Sequence, residues 1–438
     1  MKLITADTMM PVSSAEAATE GTSARNRLRA GPLKILMIFQ SAPLPPPRNL
    51  GGAQRNYPFL RENLKRHDIS VISFGTPEEE NIFRHHFGDI CKHIRFVDRR
   101  RPRILNGLEK VWLVMTGRST FNQIYRRKLQ KCIDELAGEE QFDLVHGCIP
   151  FFGRYRLPKN VPLLGDLHNV EHDLLYKTYL ETTNIFMRIF AFLAYKLGKR
   201  FEIAQCKKFD ILTTATLNDL QTFRKDLPGK PMYVVQNGVG PEFFEAINIK
   251  REAKAMVFVG FFSYYPNVHA MHHFFDKIFP LVLAREPDAK LYIVGAYPPR
   301  DIQARASHNV VVTGFVEDVR PFFARAQVFI IPLLIGSGIR GKALEAMAMK
   351  IPIVSTTMAC GGINLKHGES AMFADTPEAF ADAIVYLFNN GGERQRLVEN
   401  AYSVAMKEHN WETKGLELDS VYRTLVSQRV DSEARERH

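Results

Sequence analysis

A chain of 438 residues, 45% hydrophobic and 24% charged, has the apolar content to build two or three packed cores, which excludes a disordered or fibrous protein. Its 58 basic residues against 47 acidic ones leave a net charge of +11. That balance favours polyanions, anionic membrane surfaces or phosphorylated ligands without choosing among them. Five scattered cysteines, none in a C-x-x-C pair, exclude a disulfide framework and a cysteine zinc site and fit a reducing compartment.

Residues 1–32 are rich in Ala, Ser, Thr and Glu and lack an apolar centre, so they read as a disordered leader and not as a secretory signal. "LKILMIF" (Leu33 to Phe39) is then a short apolar run of the kind a strand buried on both faces shows, followed by a proline-rich loop and "GGAQR". "ISVISF", "FDLVHG", "VPLLGDL" and "DILTTAT" repeat that signal between charge-rich segments of helical length, and "MYVVQNG" closes the series. A second series follows with "AMVFVGF", "AKLYIVG", "NVVVTGF", "VFIIPLL" and "IPIVST". Alternating strand and helix signals predict doubly wound parallel sheets. Two series predict two Rossmann-like α/β domains, the first over 33–230 and the second over 250–400. An interdomain linker over 231–249 joins them, and a C-terminal helix and tail occupy 401–438.

No uninterrupted apolar run approaches the length of a membrane span. The nearest, "IFMRIFAFLAYKLGKRF" (Ile185 to Phe201), contains Arg188 and ends in Lys196, Lys199 and Arg200, and reads as an amphipathic helix. Together with "DRRRPR" (Asp98 to Arg103) and "YRRKLQK", it makes the first domain basic. Helices rich in Lys and Arg lie on anionic membrane surfaces, and a solvated basic face is the simpler alternative. The aromatic interleaving of RNA-binding modules is missing, so no nucleic-acid partner is expected.

Open parallel sheets bind ligands beyond the carboxyl ends of their strands. Glycines cluster there, as at Gly51-Gly52, Gly336, Gly338 and Gly361-Gly362, and two facing sheets would gather these loops around one site. The segment "GSGIRGKALEAMA" is the most informative. Its glycines let backbone N–H groups approach an anion, and the helix opening near Ile339 adds its positive end. Arg340 and Lys342 supply charge for two phosphoryl groups, while Glu345, a turn further on, is suited to accept hydrogen bonds from a diol. A nucleotide diphosphate-sugar offers a ribose diol and a pyrophosphate. A capped helix with a surface ion pair is the plainer reading of the same residues.

"GSGIRGKALEAMAMKIPIVSTTMACGGI" resembles the donor-site segment of glycosyltransferase family 4, the retaining group 1 glycosyl transferases with the GT-B fold of two facing Rossmann-like domains. "VVQNGV", "VFVGFFSYYPNVHA", "LYIVG", "VVVTGFVEDVRPFFARAQVFIIPL" and "GDLHNVEH" follow that family's order, so the resemblance spans about Leu33 to Asn400. It implies that Glu345 binds the donor ribose and that Gly361, Gly362 and Ile363 lie near the donor sugar and pyrophosphate. It further implies that Phe315 and Val316 flank the base, that Gly51 and Gly52 close on the donor from the first domain, and that His168 hydrogen-bonds the transferred sugar or the acceptor hydroxyl. His168, Arg340 and Lys342 are the catalytic candidates. The sequence departs from the family in three places. Ser337 stands where a glutamate commonly touches the transferred sugar, the usual Arg and Lys are missing from "FVGFFSYYPN", and Gly240 replaces a common Asp. Arg340 and Lys342 supply the missing charge in a G-S-G-x-R-x-K branch that this chain resembles.

The reading is a retaining glycosyltransferase acting on a nucleotide diphosphate-sugar donor and a glycan or lipid-linked acceptor in cell-surface polysaccharide synthesis. It would be cytoplasmic and peripheral on the inner face of the cytoplasmic membrane. No D-x-D triplet occurs, so no metal and no further cofactor is expected. His168 to His172 also match H-x-x-E-H, the inverted zincin pattern, which needs both histidines on one helical face. A nucleotide-sugar epimerase of the same fold and a non-catalytic membrane-surface module remain alternatives. A Rossmann dehydrogenase would want G-x-G-x-x-G after the first strand, where "SAPLPPPRNLGGAQ" stands.

Overall fold

The structure is a computed structural model and describes residues 31–46, 53–98, 127–148, 150–181, 185–335 and 341–436. Seven strands build the first sheet: β1 (Lys34–Phe39), β2 (Asp68–Gly75), β3 (His93–Asp98), β4 (Leu144–Cys148), β5 (Leu163–Leu167), β6 (Ile211–Thr214) and β7 (Met232–Val234). They are parallel throughout and ordered β3-β2-β1-β4-β5-β6-β7. Six more build the second: β8 (Ala255–Val259), β9 (Lys290–Val294), β10 (Val310–Gly314), β11 (Val328–Ile331), β12 (Ile353–Ser355) and β13 (Met372–Phe373). These are also parallel, in the order β10-β9-β8-β11-β12-β13.

The apolar runs are continuous because each sheet is covered on both faces. In β1, Ile35, Met37 and Phe39 enter one core and Leu36 and Ile38 the other. In β8, Ala255, Val257 and Val259 face one side while Met256 and Phe258 face the opposite one. Strand side chains alternate with a period of two, so one unbroken apolar run feeds two cores at once.

Helices between the strands supply those covers. In the first domain they are α1 (Ala53–Leu64), α2 (Pro77–Phe87), α3 (Arg127–Glu139), α4 (Glu171–Glu181), α5 (Ile185–Cys206) and α6 (Leu217–Asp226). In the second they are α7 (Tyr265–His273), α8 (Phe279–Arg285), α9 (Arg300–Gln303), α10 (Arg320–Arg325), α11 (Gly341–Ala348), α12 (Pro377–Asn389) and α13 (Gly391–Glu408), and α14 (Trp411–Glu436) ends the chain. Where capping is visible it is chemical. Thr76 caps α2 and its amide donates in return to the Glu79 carboxylate, Thr216 caps α6, and Thr376 caps α12.

Among the described residues the chain crosses between the domains twice. The outward crossing follows β7, whose residues lie inside the stretch read as linker (231–249) but pair with β6 as the edge of the first sheet. The return crossing follows α13. There, Val239 on the way out bridges to Asn410 on the way back, the Val239 amide donating to His409 O over 2.6 Å. The stretch read as C-terminal helix and tail (401–438) therefore divides. Ala401 and Ala405 of α13 belong to the core of the second domain, and α14 returns to the first. Trp411, Leu418, Val421, Tyr422 and Leu425 are buried in the same core as Leu33, Ile35 and Phe59.

Tyr422 reaches through to the sheet. Its hydroxyl lies 2.6 Å from Nδ1 of His146 on β4, and both side chains are buried. Burial, opposed by the charge of Asp166, pulls the His146 imidazole down to about 4, so it is neutral at neutral pH. The unfolded chain takes up that proton near pH 6.5, whereas the folded chain does so only near 4. The stability due to a neutral His146 is thus complete above about pH 6.5 and falls by about 3 kcal/mol as pH drops towards 4. Urea melts of wild type and His146→Gln at pH 7 and pH 5 test this. The wild type should lose more stability on acidification than the variant, and equal losses would show that His146 is not the responsible group.

Candidate functional site

The strand order reverses between β1 and β4 in the first sheet and between β8 and β11 in the second. These are the switch points at which open α/β sheets bind ligands. The side chains of interest lie at the carboxyl edges beside them, on strand ends, helix starts and the loops between.

At the first sheet the centre is Asp166, near the end of β5 and 1% exposed. Arg55, on the first turn of α1, grips it with two parallel bonds, Nε to Oδ2 at 2.9 Å and Nη2 to Oδ1 at 2.8 Å. The Thr213 hydroxyl of β6 donates to Oδ1 at 2.7 Å. His168 follows two residues on, its Nε2 3.4 Å from Oδ2, within ion-pair range but without the alignment of a hydrogen bond. Burial alone would push the carboxyl up. The Arg55 charge and its bonds outweigh that and hold Asp166 well below the usual carboxylate range. It is an anion at neutral pH and stands beside one edge of the His168 ring.

Arg55 reaches further. Its Nη1 donates to Asn237 Oδ1 at 2.7 Å, and its guanidinium stacks 4.7 Å over the Phe59 ring. Asn237 lies on the outward crossing, and its carbonyl contacts Nδ1 of His409 on the return crossing at 3.2 Å. Its neighbour Gln236 donates from Nε2 to the carbonyl of Gly362 in the second domain. Gly362 sits at φ +91°, a conformation that glycine adopts without strain. A methyl group on the adjacent Gly361 would stand 3.6 Å from Nδ2 of Asn218, at the start of α6. The Gly361–Gly362 loop is thus held against the carboxyl edge of the first sheet, one strand from His168.

In the second domain α11 follows β11 at the switch point. Glu345 sits on its inner side with a side chain 13% exposed, and Lys342 one turn earlier donates to both its oxygens, at 2.7 and 2.9 Å. Burial pushes the Glu345 carboxyl up, Lys342 opposes this, and Glu242 on the crossing segment adds to it. The pair is closed on itself, so Lys342 faces its own carboxylate here. Phe315, just beyond β10, is 55% exposed, whereas Val316 packs against the core. β10 lies three strands from β11, a separation of about 14 Å. Ile363 is buried and anchors its loop in the same core. Gly51, Gly52, Ser337 and Arg340 lie outside the described residues.

The H-x-x-E-H reading does not survive. His168 precedes α4 while His172 lies within it, so the two do not share a helical face. His172 is turned inward, with Nδ1 2.7 Å from Glu202 and Nε2 3.6 Å from Asp226. Glu202 also accepts the backbone amides of Glu171 and His172 and so caps α4. Burial, reinforced by Glu202, lifts the Glu171 carboxyl to about 7.

Sequence reading did not single out Arg55, Asp166, Asn237 or Gln236. All four lie inside quoted segments, "GGAQR", "VPLLGDL" and "VVQNGV". A charged residue at the inward end of an apolar strand is itself a signal, because burial there demands a partner. Removing one member of such a pair strands the other charge and costs about 3–5 kcal/mol. Asp166→Leu should therefore destabilise the fold by that amount in urea denaturation. Adding Arg55→Met should recover much of it, since an apolar pair of similar volume is close to neutral. A double variant no more stable than the single one would show that the pair is not the source of the loss.

Comparison with known proteins agrees with this architecture. Residues 253–390 match the family model described as glycosyl transferases group 1. The chain is 24% identical over 400 residues to a 44.6 kDa protein in the cps region of Klebsiella pneumoniae, covering 86% of this chain and 96% of that one. It is 23% identical over 429 residues to an uncharacterized glycosyltransferase of Methanocaldococcus jannaschii, covering 90% and 99%. Among solved structures, Anabaena HepE in complex with UDP-glucose superposes with a TM-score of 0.62 at 13% identity, covering 90% of this chain and all of that one (100%). WaaG, a glycosyltransferase involved in lipopolysaccharide biosynthesis, does so with a TM-score of 0.58 at 15% identity, covering 89% and 99%. The chain has the GT-B fold, and the match of residues 253–390 to the group 1 glycosyl transferases supports a glycosyl transfer enzyme.

Proposed function

We propose that the protein is a retaining glycosyltransferase of family 4, moving a sugar from a nucleotide diphosphate-sugar to a hydroxyl of a glycan or lipid-linked saccharide in cell-surface polysaccharide synthesis. The observation that carries this reading is the Lys342–Glu345 pair at the start of α11, enclosed at the switch point of the second sheet. A carboxylate whose burial disfavours its charge gains from two hydroxyl donors, and a ribose diol supplies them. When the diol engages Glu345, Lys342 is released to the diphosphate, joined by Arg340 and the N-terminus of α11. Binding of UDP-glucose by HepE and the part of WaaG in lipopolysaccharide biosynthesis support the donor and acceptor classes.

Transfer with retention needs no protein nucleophile. The acceptor oxygen bonds to the anomeric carbon on the face from which the diphosphate departs, the bond from that carbon to the diphosphate breaks, and the acceptor proton passes to a diphosphate oxygen. Lys342 and Arg340 stabilise the charge that grows on the leaving group. His168, steadied by Asp166, hydrogen-bonds the transferred sugar or the incoming hydroxyl. The cations do the work of a metal, so transfer should be metal-independent. On this reading the enzyme is cytoplasmic and peripheral on the inner face of the cytoplasmic membrane.

Thermal melts with UDP-, GDP- and ADP-sugars identify the donor, because selective binding raises the melting temperature by mass action. With that donor, Glu345→Ala should weaken binding by about 1.5–3 kcal/mol, roughly 10- to 150-fold in Kd, with the far-UV spectrum unchanged. Unaltered donor affinity in this variant would overturn the site. Transfer should survive EDTA, and loss on chelation with recovery on adding a divalent ion would refute metal independence. Anomeric analysis of the product separates retention from inversion, and turnover without an acceptor would favour the epimerase.

A further inference from the structure

Helices α4 and α5 form an antiparallel hairpin that starts three residues after His168. Its pairing is fixed by Tyr176 against Tyr195 (5.0 Å) and Tyr179 against Phe192 (5.3 Å). The buried residues of α5 recur at Ala194, Gly198 and Glu202, which dock its C-terminal half on the domain. The opposite face is apolar and faces water. Ile185, Ile189, Leu193 and Leu197 are 62, 54, 52 and 37% exposed and, at intervals of four, form one stripe. Leu180, near the end of α4, is exposed as well. Soluble surfaces carry scattered apolar residues, whereas an aligned row marks a docking face.

A second row runs beside the stripe on the same helix. Arg188, Lys196 and Arg200 are exposed. The Arg188 guanidinium lies 5.2 Å over the Tyr179 ring, and the Lys196 ammonium lies 5.5 Å over Phe192. Lys199 differs, because it turns inward to bind Asp226 at 2.8 Å. An apolar stripe edged by cations on aromatic rings suits the boundary between acyl chains and anionic headgroups. Packing two copies of this chain stripe to stripe would bring cation rows together, which disfavours a homodimer on this face.

We propose that the α4–α5 hairpin docks on an anionic lipid bilayer, with Ile185, Ile189, Leu193 and Leu197 entering the acyl boundary and Arg188, Lys196 and Arg200 on the headgroups. The proposal deepens the acceptor side of the function given above and rests on that reading for its purpose. Because the hairpin grows out of the His168 loop, docking brings the acceptor side of the cleft to the membrane, so the acceptor is anchored in that bilayer. The apolar stripe gives attachment a component that salt does not screen.

Co-sedimentation of the full chain with phosphatidylcholine vesicles, with and without phosphatidylglycerol, at low and high salt tests this. Wild type should bind the anionic vesicles at low salt and keep part of that binding at high salt. Ile189→Ser with Leu193→Ser should abolish the salt-resistant fraction. Lys196→Glu with Arg200→Glu should weaken low-salt binding roughly fivefold for each cation lost. Absence of wild-type binding to anionic vesicles at low salt, or variants that bind like wild type, would overturn the proposal. So would a wild-type dimer that Ile189→Ser with Leu193→Ser dissolves, since the stripe would then be a self-interface. Donor-induced thermal shifts in the same variants should be unchanged, which distinguishes failure of docking from failure of the glycosyltransferase reading.

Discussion

The ion pair between Asp166 and Arg55 is the joint on which the rest of the site depends. Two buried charges are costly to desolvate, and the geometry repays that cost only when every donor and lone pair is used. Here it nearly is, with two parallel bonds, a third from Thr213, and the outer guanidinium nitrogen on Asn237. One cluster thereby ties α1, β5, β6 and the outward crossing together at the carboxyl edge of the first sheet. His168 stands beside this cluster, its Nε2 3.4 Å from Asp166 Oδ2.

From that joint the connection runs on to the second domain. Asn237 contacts His409 on the return crossing, and Gln236 holds the Gly362 carbonyl. The two crossings bond to each other at Val239 and His409, so the domains are linked by a short paired segment instead of two independent tethers. α14 extends this by burying Trp411 and Tyr422 in the first core. The Gly361–Gly362 loop, which follows β12 one strand from the switch point, is thus tied to the cluster that lies beside His168.

Burial and charge conflict at three places in this molecule. Glu345 is pushed towards neutrality by burial, which Lys342 opposes only in part. Glu171 is lifted to about 7 by burial beside Glu202. α5 shows the inverse conflict, with apolar side chains left in water next to cations. Each is unfavourable in the isolated chain, and a ligand or surface of the right chemistry would relieve it.

The alternation of apolar runs with helical segments determined by itself that two doubly wound parallel sheets form, since strands buried on both faces must be continuously apolar and need helices to cover them. Local spacing likewise put Lys342 and Glu345 on one helical turn and the Gly361–Gly362 pair on a loop. Contacts between residues distant in sequence were invisible at that level. Arg55 meets Asp166 across 111 positions and His146 meets Tyr422 across 276, and no periodicity encodes such pairings. The strand signal of "MYVVQNG" was legible, but the boundary at 230 left β7 in the linker and the tail boundary did not show the return of α14, because which core a segment joins is decided by packing. Which face of α5 meets solvent was also left to the tertiary structure. An apolar stripe in sequence reads as a core face, and only the docking of Ala194, Gly198 and Glu202 against the domain turned Ile185, Ile189, Leu193 and Leu197 outward.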